Sequence, residues 1–191
     1  MACAWNEDPP FLFIHIPKTG GTSFISNRSS ATKKLKETCP LMNIASGHRT
    51  LHYLSTKMDI SKYFKFSIIR NPFDRFISLW KVQNLSTGIS FNTFINLVDQ
   101  KKYGWYPLKP QSFWITNKEN KLLTDHLIRF ENYTRGINKV LKTLSLPSIK
   151  LPHLRKLDRL TDYKPYYNNS EQIDKVAKIY SVDLKNFGYS F

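Results

Sequence analysis

Residues 11–16, Phe-Leu-Phe-Ile-His-Ile, form a nearly continuous apolar run that stops at Pro17, and the segment Lys18 to Ser23 follows without a break. A short apolar run ended by proline suits a strand buried on both faces of a parallel sheet. The pair Gly20-Gly21 then turns the chain, and the pattern beyond it predicts a helix. Strand, glycine turn and helix is the layout in which main-chain N–H groups approach an anion, so Lys18, Thr19, Gly20, Gly21, Thr22 and Ser23 read as a phosphate-type cradle. In a Walker A loop the lysine follows the last glycine. Here it precedes both, which disfavours an ordinary P-loop kinase or ATPase. Taken alone, the same residues also describe a plain glycine turn with a surface lysine.

A second strand and helix start lie further along. Residues 63–69, Tyr-Phe-Lys-Phe-Ser-Ile-Ile, read as a strand, and Asn71-Pro72-Phe73-Asp74 carries helix-start signals. Asn71 suits the cap, Pro72 the first helical position and Asp74 the first turn. Phe73, Phe76, Ile77 and Trp80 then recur at the spacing of a buried helix face, leaving Asn71, Asp74, Arg75 and Ser78 along a polar stripe. Arg70 stands at the strand end, and Ser78 lies about two helical turns into the helix, so both could converge on a second phosphate. The plainer alternative is a structural Arg70 paired with Asp74.

The pattern continues. Ser90 to Val98 predicts a helix with Phe91, Phe94, Ile95 and Val98 inward, and Tyr103 to Gln111, with Gly104, Pro107 and Pro110, reads as a loop suited to a lid or substrate contact. His126 to Phe130 reads as a third strand, followed by a helix carrying Tyr133, Ile137, Val140, Leu141 and Leu144. Leu146 to Asn169 is irregular, and Ser170 is expected to cap a last helix. Alternating strands and helices predict one α/β domain, residues 1–191, with a mainly parallel central sheet flanked by helices. Ligands in such folds bind beyond the carboxyl ends of the strands.

Composition narrows the partners. Lys and Arg number 29 against 14 Asp and Glu, a formal net charge of +15, so anionic partners are expected: nucleic acid, an anionic membrane surface, an acidic glycan or a phosphorylated nucleotide. Cys3 and Cys39 match neither a zinc site nor a redox pair and point to a reduced compartment. The first ten residues lack a signal-peptide pattern, and the run at 11–16 is too short to span a bilayer, so the expectation is a soluble cytoplasmic protein of unassigned oligomeric state without stable membrane insertion.

Two segments together resemble a known family. Ile16-Pro17-Lys18-Thr19-Gly20-Gly21-Thr22-Ser23 is similar to the 5′-phosphosulfate loop of sulfotransferases, and Ile69-Arg70-Asn71-Pro72-Phe73-Asp74-Arg75-Phe76-Ile77-Ser78 to their 3′-phosphate motif. The likeness is nearest to the carbohydrate group that includes heparan sulfate 2-O-sulfotransferases and bacterial relatives. It continues faintly through Gly47-His48, Arg129-Phe130-Glu131-Asn132, Leu151-Pro152-His153-Leu154 and Phe187-Gly188-Tyr189. The resemblance implies a P-loop-like nucleotide-binding fold and transfer of the sulfuryl group of 3′-phosphoadenosine 5′-phosphosulfate (PAPS) to an acceptor hydroxyl, with a carbohydrate as the expected acceptor. It implies Lys18 at the phosphosulfate bridge, Thr19 to Ser23 at the 5′-phosphate, Arg70 and Ser78 at the 3′-phosphate, and no metal. His48 resembles the base position, and a neutral imidazole suits that task. His15, His52, His126 and His153 compete for it, and His153, beside Arg155 and Lys156, also suits binding of acceptor or nucleotide.

Two other classes compete with this reading. A nucleotide-dependent phosphotransferase predicts magnesium dependence and a Walker lysine, and the latter is missing. A nucleic-acid-binding module is motivated by the charge and by Lys62-Tyr63-Phe64-Lys65 and Tyr163-Lys164-Pro165-Tyr166. Most aromatics fall at core-like positions and the charge forms no single block, so nucleic acid is not expected as a partner.

Overall fold

The structure is a computed structural model that describes residues 3–25, 43–45, 48–149 and 162–191. Its strands are β1 (Cys3–Glu7), β2 (Pro10–Ile14), β3 (Asn43–Ala45), β4 (Phe64–Ile69) and β5 (His126–Arg129). Its helices are α1 (Gly21–Ile25), α2 (Leu51–Ser55), α3 (Pro72–Thr87), α4 (Phe91–Asp99), α5 (Ser112–Ile115), α6 (Tyr133–Thr143), α7 (Ser170–Ile179) and α8 (Ser181–Phe187). The α/β class expected from the sequence is the class observed. The chain divides into two compact units, Met1–Ile69 with Phe113–Lys156 and Arg70–Ser112 with Leu157–Phe191.

The first unit holds the sheet, in the order β3-β1-β2-β4-β5. β2 pairs with β4 and β4 with β5 in parallel, so the three strands foreseen from the sequence form the parallel part of the sheet. Ser67 reinforces the first pairing, its buried hydroxyl donating to Ile14 O at 2.7 Å. The apolar run of β2 packs as its composition requires, with Phe11 and Phe13 joining Phe66, Ile68 and Ile128 in one core with Ile137, Val140 and Leu141 of α6. Phe24 sets its ring edge on Phe13, centroids 4.7 Å apart, which pins α1 to the sheet.

β1 pairs antiparallel with β2 and with β3, an edge that the sequence pattern does not announce. Asn6 explains part of the difference. It is buried, and its Nδ2 donates to Asp8 O at 2.5 Å and Pro9 O at 3.2 Å, so a polar residue serves the turn from within a strand.

The second unit packs α3, α4, α7 and α8 around an aromatic-rich core of Phe73, Phe76, Phe91, Phe94, Tyr167 and Tyr180. α3 begins as its signals dictate, Asn71 Oδ1 accepting from Phe73 N at 3.0 Å with Pro72 at the first helical position. Its polar stripe is a correction, because Asp74, Arg75 and Ser78 are buried together with the apolar face. Arg75 is fully buried because distant carbonyls meet it: Nη2 donates to Pro107 O at 2.5 Å and Lys109 O at 3.1 Å, and the cation lies over the Tyr180 ring at 5.7 Å. The loop at 103–111 is thereby tethered, and it contains a 3-10 turn at Tyr106–Leu108. Asn169, not Ser170, caps α7, its Oδ1 accepting from Gln172 N at 3.0 Å. The expected last helix is two, α7 and α8, which meet at Tyr180. Among the described residues no helix is long and apolar enough to cross a membrane.

Candidate active site

In the first unit the segment after β2 turns sharply into α1. Lys18 has a left-handed backbone at φ 68°, and Gly20 follows at φ 87°. A side-chain-bearing residue in that region costs on the order of 1–3 kcal/mol and persists where its surroundings dictate the conformation. They do so here. Thr19 is fully buried and its hydroxyl donates to Ile16 O at 2.9 Å, while Ser23 N donates to Gly20 O at 3.0 Å. Tyr133 Oη donates to the same Gly20 carbonyl at 3.0 Å, and burial pushes that phenol well above its usual range, so it stays protonated as a donor.

The two glycines are required by close approach. A Cβ at Gly20 would stand 2.9 Å from Phe130 Cε2, and one at Gly21 would stand 2.2 Å from His15 Cδ2. The loop is thus seated between two rings that sequence periodicity did not single out. Thr22 is half-buried beside the buried Ser23.

His48 is brought to His15, the residue whose ring abuts Gly21. Its Nδ1 lies 2.8 Å from His15 O, its ring centroid is 4.8 Å from the His15 ring, and the Trp114 ring meets it edge-on at 5.6 Å. A carbonyl oxygen only accepts, so His48 Nδ1 carries the proton in this pair, and Nε2 is the lone-pair nitrogen of the neutral ring. Of the competing histidines, His15 is buried between Phe13 and Gly21, and His52 lies in α2. His126 opens β5 at the amino end of the parallel strands, away from the end where the loop lies, and burial followed by the Lys139 charge lowers its pKa. Gly47, His153 and Cys39 lie outside the described residues.

In the second unit Arg70 and Ser78 are both buried, at 4% and 5% exposure. Arg70 Nε donates to Asp74 Oδ2 at 2.6 Å, the pairing anticipated as the plainer alternative. The main chain of Arg70 is held as well. Its N–H donates to Gln111 Oε1 at 2.9 Å, and Gln111 Nε2 donates to Arg70 O at 2.8 Å. Asp183 completes the set, accepting from Gln111 N at 2.6 Å, from Ser112 N at 2.8 Å and from Ser112 Oγ at 2.7 Å. Sequence reasoning missed Gln111 and Asp183, whose partners are tens of residues away. It misses Tyr133 as a loop partner too, although Tyr133 directly follows Arg129-Phe130-Glu131-Asn132, a segment that carries the family resemblance.

The sequence matches the sulfotransferase family over residues 3–190, a span that takes in both units. The chain belongs to the sulfotransferase family. No curated protein and no solved structure matches it in the corresponding comparisons.

For this sulfotransferase the arrangement supplies two kinds of chemistry. The loop carries an ammonium, hydroxyls and main-chain donors, a set suited to an anion, and His48 stands against His15, just before the loop. Arg70 offers a guanidinium held at its backbone and at its Nε. Among the described residues no group of three or more His, Cys, Asp or Glu is placed to hold a metal ion.

Proposed function

We propose that this sulfotransferase takes its sulfuryl group from PAPS and delivers it to a carbohydrate hydroxyl. The observation that carries the reading is the loop of residues 17–23, where a strained lysine and a glycine pair are fixed by Thr19, Tyr133 and His15 with His48 beside them. The donor set fits the 5′-phosphosulfate end: ammonium at Lys18, main-chain N–H groups at Thr19, Gly20 and Gly21, hydroxyls at Thr22 and Ser23. Arg70 and Ser78 are assigned to the 3′-phosphate. The family match across residues 3–190 supports treating the two units as one functional sulfotransferase domain. We assign the reaction to the cytoplasm, in keeping with the two cysteines of the chain.

In this reading His48 Nε2 accepts the proton of the acceptor hydroxyl as its oxygen attacks sulfur in line. The S–O bond to the 5′-phosphate breaks, and its electron pair stays on that phosphate. Lys18 stabilises the charge growing there, while the His15 carbonyl holds the His48 ring by Nδ1–H. Catalysis is then mainly positioning and charge stabilisation.

The deciding experiment is calorimetric titration of 3′-phosphoadenosine 5′-phosphate into the purified protein without metal, with 5′-AMP and ATP as controls. Binding that depends on the 3′-phosphate is expected. Absence of binding, or a preference for ATP with magnesium, would overturn the donor assignment.

A further inference from the structure

We propose that Gln111 and Asp183 are positioning residues for the 3′-phosphate end of the donor, acting through the main chain of Arg70; the inference rests on the donor assignment above. β4 pairing with β5 ends at Ile69↔Arg129, and Arg70 is the next residue. At that point the chain must leave a strand and enter α3 two residues later, and the direction of the Arg70 side chain is set by how its peptide groups are held. The Gln111 amide grips both of them, accepting from Arg70 N and donating to Arg70 O, as a neighbouring strand residue would.

That grip is itself anchored. Gln111 is fully buried, and its main-chain N–H is held by Asp183, a carboxylate that also takes the N–H and hydroxyl of Ser112. Asn186 Nδ2 donates to Ser112 Oγ at 3.2 Å, tying the same group into α8. Asp183 is fully buried, and its two oxygens accept from three donors. A buried carboxylate is retained where such donors satisfy it, and such networks fix one geometry because half-satisfied alternatives are costly. The guanidinium of Arg70 is then fixed twice, by Asp74 at Nε and by Gln111 at its backbone. Charge-assisted recognition of a phosphate depends on that orientation, because the N–H donors of a guanidinium have a rigid fork geometry.

The role predicts a signature that general destabilisation does not produce. Gln111→Met keeps the length of the side chain and removes both bonds to Arg70. Titrated with 3′-phosphoadenosine 5′-phosphate and with 5′-AMP, the wild type is expected to prefer the former, and Gln111→Met to lose roughly tenfold or more in affinity for it. Affinity for 5′-AMP should be unchanged. Asp183→Asn, which keeps the shape but turns one acceptor into a donor, should shift the same preference in the same direction. It carries the test by the same criterion if Gln111→Met does not fold. A variant that weakens both ligands equally, or keeps the full preference of the wild type, would overturn the positioning role alone. A wild type indifferent to the 3′-phosphate would overturn the donor assignment and this inference with it.

Discussion

Two side chains carry the transfer step in the proposed mechanism, and each predicts a different failure. Lys18→Ala removes the only ammonium in the loop at 17–23, so transfer should be abolished while the circular dichroism spectrum stays native; unchanged turnover would remove Lys18 from the reaction. His48→Ala removes the base and spares the donor-binding loop. Its turnover should fall roughly a hundredfold or more, the usual cost of losing a general base, with affinity for 3′-phosphoadenosine 5′-phosphate nearly intact. The tautomer argument sharpens this assignment. Because His15 O holds Nδ1–H, methylation or loss of Nε2 basicity disables the ring, whereas the other nitrogen is already committed. The Lys18 backbone adds a second readout at the same residue. Glycine is at ease at φ 68° and alanine is not, so Lys18→Gly should melt above Lys18→Ala although neither transfers sulfate.

At the scale of elements, Arg75 links α3 to the loop at 103–111, and its prediction separates local from global stability. Burial lowers its pKa, a sign that the charge is costly where it sits, so Arg75→Met relieves that cost while leaving Pro107 O and Lys109 O without their donor. Buried charges cost several kcal/mol and lost hydrogen bonds about 1–3 kcal/mol, so the terms oppose one another. The melting temperature should change little, and limited proteolysis should cut the loop faster than in the wild type. A loop equally resistant in the variant would show that other contacts hold it. Arg75 also marks where the sequence became illegible. The strand at 63–69 and the helix start at Asn71 were readable because their signals are local: an apolar run, a cap, a proline. The burial of Asp74, Arg75 and Ser78 was not, since on a helix wheel they fall on the polar side and only remote carbonyls reveal why Arg75 is inside. The loop after β2 was readable for the first reason. Its partners Tyr133, Phe130 and His15 were not, because their role lies in ring placement against two missing Cβ atoms. β1 escaped because in Cys-Ala-Trp-Asn-Glu the apolar residues give way to Asn6 and Glu7 within the strand, leaving neither alternation nor a run that fills it.

For the molecule as a whole, the formal charge of +15 should show in kinetics. The proposed donor, with its several phosphate and sulfate charges, would be drawn by such a field, and salt screens that attraction with a Debye length of about 10 Å at 0.1 M. Raising NaCl from about 0.05 to 0.5 M should therefore lower kcat/KM for the donor severalfold and change kcat much less. Equal losses in both would point to an effect of salt on the folded state. The division into units has a consequence of another kind. Residues 70–112 are inserted within the first unit, and residues 113–156 within the second, so the chain passes between them three times. No single cut in the gene separates two complete modules: a fragment holding all of the loop's unit also carries Arg70 and the helix of Ser78. The loss is therefore one-sided: a fragment that starts at residue 70 keeps the whole of the second unit without the loop at 17–23, whereas no fragment that keeps the whole of the first unit can shed Arg70 and Ser78.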